Sequence, residues 1–165
     1  MIDPAFVRLM ARYNAWQNEG LRDIVERMDR AELDRDRGAF FGSIRATLNH
    51  LLWGDLIWMS RFDGGAVPEG GIGGSVDLTP TIAEWGARRF KTDGRIRLWA
   101  DGLKAVDLAG DLNWYSGAAG REMRRPIAPL VVHFFNHQTH HRGQVHAMLT
   151  AAGARPGDTD LFLMG

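Results

Sequence analysis

Five of the six histidines of this 165-residue chain fall between positions 133 and 146, at His133, His137, His140, His141 and His146. The pair His137 and His141 has the i, i+4 spacing that brings two helical imidazoles close enough to share one metal ion. At about 100° per residue, His137 stands about 40° and His141 about 80° round from His133. His140, Gln144, Met148, Leu130 and Ala151 share that side, whereas Arg142 and His146 point away and are expected to face solvent. Gln138 stands where a helical zinc protease would carry its glutamate, so a protease of that kind is disfavoured.

Two ligands on one helix hold an ion weakly, and a third is needed from a facing helix. His50, among Leu48, Leu51 and Leu52, is the remaining histidine. One imidazole from its helix and the His137–His141 pair would make a three-nitrogen site with open positions. The competing reading is a structural face whose histidines pack and hydrogen-bond. Asp55, on the same helix as His50, has several roles open to it. It is a ligand, a carboxylate that fixes an imidazole tautomer, an N–H acceptor or an exposed charge.

Composition narrows the setting. Lys plus Arg and Asp plus Glu are 20 each, so the chain has no net field to gather nucleic acid or an anionic membrane. The chain has no cysteine, which excludes a disulfide framework, a cysteine nucleophile and a thiolate metal site. With 45% hydrophobic residues and 165 in all, a single domain over residues 1–165 is expected. The first residues lack the basic start and apolar run of a signal peptide, and no stretch has the ~20 apolar residues needed to cross a bilayer. The expected location is cytoplasmic.

Four long amphipathic segments must position these side chains. Asp3-Pro4 opens the first, with Phe6, Leu9, Tyr13, Trp16, Gly20, Ile24 and Met28 at steps of three and four. Asp29 to Gly38 reads as a charged helical turn or linker. The second helix starts at Ser43 and runs to about Phe62. Gly64, Gly65, Pro68, Gly70, Gly71, Gly73 and Gly74 then make a loop, with neither the lysine nor the preceding strand of a phosphate-binding loop. Thr79-Pro80 opens the third helix, whose seam runs from Ile82 to Val106. From Asp107 to Arg125 the helical period fails, and Leu112, Trp114, Tyr115, Gly117 to Gly120 and Met123 suggest a small hairpin or irregular excursion. Pro126 and Pro129 lead into the last helix, which ends near Ala152. The expected fold class is all-α, an antiparallel four-helix bundle with a long crossover connection and a small excursion before the last helix.

Three segments carry a family resemblance: Tyr13-Asn14-Ala15-Trp16, Ser43-Ile44-Arg45-Ala46-Thr47-Leu48-Asn49-His50-Leu51-Leu52, and Asn136-His137-Gln138-Thr139-His140-His141-Arg142-Gly143-Gln144. In order and spacing the chain resembles the DinB/YfiT-like family of small helical metal-dependent enzymes, not the DNA polymerase that shares the DinB name. The resemblance implies the antiparallel bundle, a homodimer, and a three-histidine metal centre mapping onto His50, His137 and His141. Characterised relatives include transferases and an isomerase that use low-molecular-weight thiols such as bacillithiol or mycothiol.

The implied chemistry is a small-molecule reaction: transfer of such a thiol to an electrophile, or a related hydrolase-type reaction. The alternative is a non-catalytic metal or small-ligand binding protein linked to stress. Three neutral imidazoles leave a divalent ion its full charge, which lowers the pKa of a water or thiol bound to it. A thiol would have to arrive as cosubstrate. Nitrogen donors suit zinc or nickel first and iron or copper next, and spacing does not choose among them. Tyr13 and Trp16 line the pocket by family position, or are core aromatics at helical spacing. Gln144 is placed to support a ligand, Gly143 to allow close helix packing, and Arg142 to make a surface or dimer contact.

Overall fold

The computed structural model describes residues 1–165. Asp3 accepts a hydrogen bond from the Phe6 amide at 2.8 Å and Pro4 follows, which starts α1 (Pro4–Val25). The carboxylate satisfies a first-turn amide, and the fixed φ of proline already suits the helix there. The charged stretch after α1 contains a short helix, α2 (Arg30–Asp34), tied to the next element by an ion pair between Asp34 and Arg45. Ser43 caps α3 (Ile44–Asp63), and Gly64 stops it at a φ of 72°, the left-handed conformation that glycine adopts without strain.

The next helix, α4 (Ile82–Gly102), begins later than the Thr79-Pro80 pair predicts. Thr81 is the cap, its hydroxyl accepting from the Glu84 amide at 3.2 Å. The Thr79 side chain is turned towards α3 instead, its amide and hydroxyl both donating to Asn49 Oδ1, at 3.2 and 2.7 Å. The helix also ends before Val106, which lies in a 3-10 turn over Ala105–Leu108. A hairpin of β1 (Asp111–Ser116) and β2 (Arg121–Pro126) follows, with Trp114 opposite Met123. The last element of length is α5 (Ile127–Ala151).

These elements correct the expected fold class. The chain is not an all-α four-helix bundle: it has five α-helices and a two-stranded antiparallel sheet. Residues 111–116 alternate between exposed and half-buried, a period of two that suits a strand and not a helix. The inward side of β1 presents Trp114, which reaches the Trp58 ring on α3 at 5.8 Å between centroids. No helix is long and apolar enough to cross a membrane.

The four long helices pack so that α1 meets α4, α4 meets α3, and α3 meets α5. The core is divided in two. Leu21, Val25, Leu48, Leu52, Trp85 and Leu149 belong to one apolar cluster, and Val7, Met59, Ile96, Val131, Phe134 and Phe135 to the other. Between them in sequence, each long helix contributes buried polar residues: Asn14 and Asn18, Asp55, Arg89 and Asp93, and Gln138 and Arg142. Arg89 spans this layer, pairing with Asp55 at 2.6 Å and Asp93 at 2.8 Å. Asp55, Arg89 and Asp93 are tolerated there because each faces an opposite charge at short range.

Candidate metal centre

His50 lies on the second turn of α3, and its position depends on what Asn49 does beside it. The Asn49 amide nitrogen donates to the carbonyls of Val76 and Thr79 at 3.0 and 3.1 Å, while its oxygen takes the two Thr79 donors. Four bonds from one buried side chain clamp residues 76–79 against α3. The clamp sets the preceding residue, Ser75, against His50, with Ser75 Oγ 2.9 Å from His50 Nδ1. With Nδ1 donating to that hydroxyl, the lone pair of His50 Nε2 is free on the opposite edge of the ring.

From α5, His137 presents Nε2 to His50 Nε2 at 3.3 Å, and His141 lies one turn further on. The His141 Nδ1 stands 2.7 Å from Gln144 Oε1, an acceptor that fixes the tautomer and leaves Nε2 as the ligating atom. One nitrogen from each of His50, His137 and His141 lies within 4.8 Å of the others, a cluster able to hold a metal ion. Phe41 covers the cluster, its ring centroid 4.0 Å from His50 and 5.3 Å from His141. Gly54, one turn after His50, leaves room for the His137 ring: a Cβ there would stand 3.0 Å from Cε1.

Burial keeps these rings neutral. It lowers His50 from the usual 6.5 to about 4 and His137 to about 3, with neighbouring histidines adding to both shifts. His141 is lowered as well, by burial, against a smaller upward pull from its Gln144 bond. Neutral imidazoles with aligned lone pairs are the donors a divalent transition metal requires. The donor set therefore fits such an ion, and the tautomers of two of the three rings are already set from behind.

The other expected residues are placed elsewhere. Asp55 is buried behind the three rings, facing Arg89 and accepting a hydrogen bond from Gln138 Nε2. Burial pushes its carboxyl up to about 6 against the downward pull of Arg89. Tyr13 donates to the Thr159 carbonyl at 2.6 Å and lines a separate recess with Arg142 and His146. Trp16 packs with its ring centroid 6.0 Å from that of Tyr13 and lines no part of the histidine cavity. His140 is exposed.

Arg142 corrects a sequence expectation. It is buried, not solvent-facing, with Nη1 3.3 Å from Gln138 Oε1. The side of α5 opposite the histidines carries Val131, Phe135, Gln138, Val145 and Leu149 into the core, so Arg142 enters the interior with them. His146, also expected to face solvent, is half-buried under the C-terminal segment, 3.4 Å from the Gly157 carbonyl. Ser75, Asn49 and Phe41 were the residues that spacing did not reveal. The nearest signal was the run of turn residues ending at Ser75 followed by a helix-starting threonine.

Beside the cluster opens a cavity of about 370 Å³ lined by His50, His137, His133, Trp53, Trp58 and Trp114, among others. Its far wall is the turn of the hairpin, and Gly71 and Ile72 of the glycine-rich loop close one side. A ligand-sized apolar cavity against a cluster of ligating nitrogens is the usual form of a small-molecule site.

The sequence profile of the DinB family matches residues 1–164, and the chain belongs to that family. Among curated proteins it is similar to "Protein DinB" of Bacillus subtilis (strain 168), at 24% identity over 164 residues, which covers 96% of this chain and 92% of that one.

Proposed function

We propose that His50, His137 and His141 hold a divalent transition metal, and that the chain is an enzyme transferring a low-molecular-weight thiol to an electrophile bound in the adjoining cavity. The observation that carries this reading is the convergence of three neutral imidazole nitrogens within 4.8 Å, two of them, from His50 and His137, on the wall of that cavity. An ion held there supplies Lewis acidity that makes a thiol or water more acidic.

The chain's own residues supply the rest. Ser75 and Gln144 hold two imidazoles in their ligating tautomers. Phe41 covers the cluster, and Trp53, Trp58 and Trp114 give the cavity apolar walls, a low-dielectric surrounding that strengthens charge interactions beside them. In the transfer the thiol loses its proton, sulfur bonds to the electrophilic carbon, and the leaving group departs with its electron pair. His133, on the cavity wall and 6.0 Å from the His137 ring, is the neutral base outside the ligand set that takes the proton. The absence of cysteine requires the sulfur nucleophile to come from solution.

The test is elemental analysis of untagged protein joined to a turnover assay with small thiols and a chromogenic aryl halide. Wild type is expected to hold one transition-metal ion per chain and to form the thioether, and His137→Ala to lose both. Equal metal content in the two proteins overturns the site. Full metal in wild type with no turnover on any thiol leaves a binding protein and overturns the enzyme.

A further inference from the structure

Beyond the three histidines, the cavity contains one permanent charge. We infer that Arg61 is an anion-recognition residue, and that the cavity takes ligands with an aromatic or otherwise apolar body and a single carboxylate or comparable anionic group. As a statement about the substrate this rests on the reading above; as a statement about binding it stands on Arg61 alone.

Positions 50, 54, 57 and 61 recur on one side of α3, so Arg61 shares the cavity wall with His50, about three turns along the helix. Its guanidinium carbon lies 4.6 Å from the Trp58 ring centroid and 5.6 Å from that of Trp114, on the hairpin. The two rings hold the guanidinium in place while leaving its N–H groups without a protein acceptor. Ring faces attract the cation but do not take its hydrogen bonds. Arg61 forms no ion pair; the carboxylate two residues on, Asp63, is held by Arg95 through bonds of 2.6 and 2.8 Å.

A half-buried guanidinium on the wall of an apolar cavity, with no protein acceptor, is open to a ligand anion. Burial already lowers its pKa, the mark of a cation short of solvent and partners. Trp53, Ile57, Trp58, Ile72 and Trp114 give the cavity apolar walls, which suit a flat apolar body. The planar N–H fork of arginine matches a carboxylate by two parallel bonds. A ligand spanning the cavity would therefore place its anion at Arg61 and its opposite end towards the histidine cluster.

The experiment compares 2-naphthoate with its neutral isostere 2-naphthamide by isothermal titration calorimetry, using chelator-treated, metal-free protein so that no ion can capture the carboxylate. Wild type is expected to bind naphthoate about tenfold more tightly than naphthamide, the scale of one charge-assisted contact. Arg61→Gln should bring that ratio to about one, and Arg61→Lys should keep part of it as a point charge. Equal binding of the two ligands by wild type, no binding of either, or an undiminished ratio in a folded Arg61→Gln overturns the inference, leaving Arg61 as a clamp between α3 and the hairpin. Metal content, measured in parallel on untreated protein, separates the two claims. A chain that takes up no metal but keeps the ratio loses the proposed enzyme and retains this site, while one ion per chain with a ratio of one does the reverse.

Discussion

The Nε2 atoms of His50 and His137 face one another at 3.3 Å across the gap between α3 and α5. Burial disfavours a second proton on either ring, and the Ser75 hydroxyl engages the far nitrogen of His50, so this contact is held by the fold around it. Two basic nitrogens kept this close in a sheltered place are organised in advance for a shared cation, and His141 completes the set.

The residues behind the rings should matter nearly as much as the rings. Ser75→Ala and Gln144→Ala each remove one tautomer-setting bond without removing a ligand. Each is expected to weaken metal affinity by about 10- to 100-fold. Competition titration with a chromophoric chelator reads this directly, and unchanged affinity in both variants would show that the rings need no backing.

Gly54 gives a steric test of the same geometry. A Cβ added there would stand 3.0 Å from Cε1 and 3.4 Å from Nδ1 of His137, so the ring must shift by a few tenths of an ångström. Alanine also favours the helix by up to about 1 kcal/mol over glycine, which offsets the contact. Gly54→Ala should therefore change stability by less than about 1 kcal/mol in urea while lowering metal affinity. A variant with wild-type affinity would mean the cluster tolerates displacement of His137.

The lowered histidine pKa values set a pH dependence with a definite sign. The unfolded chain binds protons on these rings near 6.5, whereas folded His50 and His137 resist protonation down to about 4 and about 3. In metal-free protein the contribution of these rings to stability is full above pH 6.5 and is lost as the pH falls from there towards 3. Melting temperatures of chelated protein at pH 7.5, 6 and 5 should fall in that order. His137→Gln should flatten the slope, because it removes the ring with the larger depression; an equally steep slope in that variant would contradict the assignment.

The charged layer in the core offers a stability prediction. Asp55→Ala leaves Arg89 buried with Asp93 as its sole counterion and leaves Gln138 Nε2 only its long contact to the Leu51 carbonyl at 3.4 Å. Breaking a buried pair in this way costs about 3–5 kcal/mol. Urea unfolding measures it, and a loss below 1 kcal/mol, the scale of an exposed pair, would show that water reaches the layer.

How much of this was legible depended on the range of the signal. The i, i+4 spacing of His137 and His141, the cap at Asp3 and the helix start at Ser43 are local, and each is present in the folded chain. Thr79 is not the cap: Asn49, thirty residues away, draws its side chain onto α3, and Thr81 caps the helix. Arg142 was assigned to solvent because a helical wheel shows which residues share a side but not how many sides are covered. Here α5 is buried on the face opposite its histidines as well.

The sequence by itself determined the helical segments, the chemistry available to the site and the sources it excludes: nitrogen ligands in number, and no thiolate. These follow from residue type and from periodicity, which act over a few residues. Tertiary structure alone decided that the Ser75 hydroxyl reaches His50, that Asp55 serves Arg89 and not the cluster, and that the hairpin turns Trp114 onto Arg61. Each of those contacts joins residues more than twenty positions apart, and their pairing is set by how apolar faces pack, which no local pattern encodes.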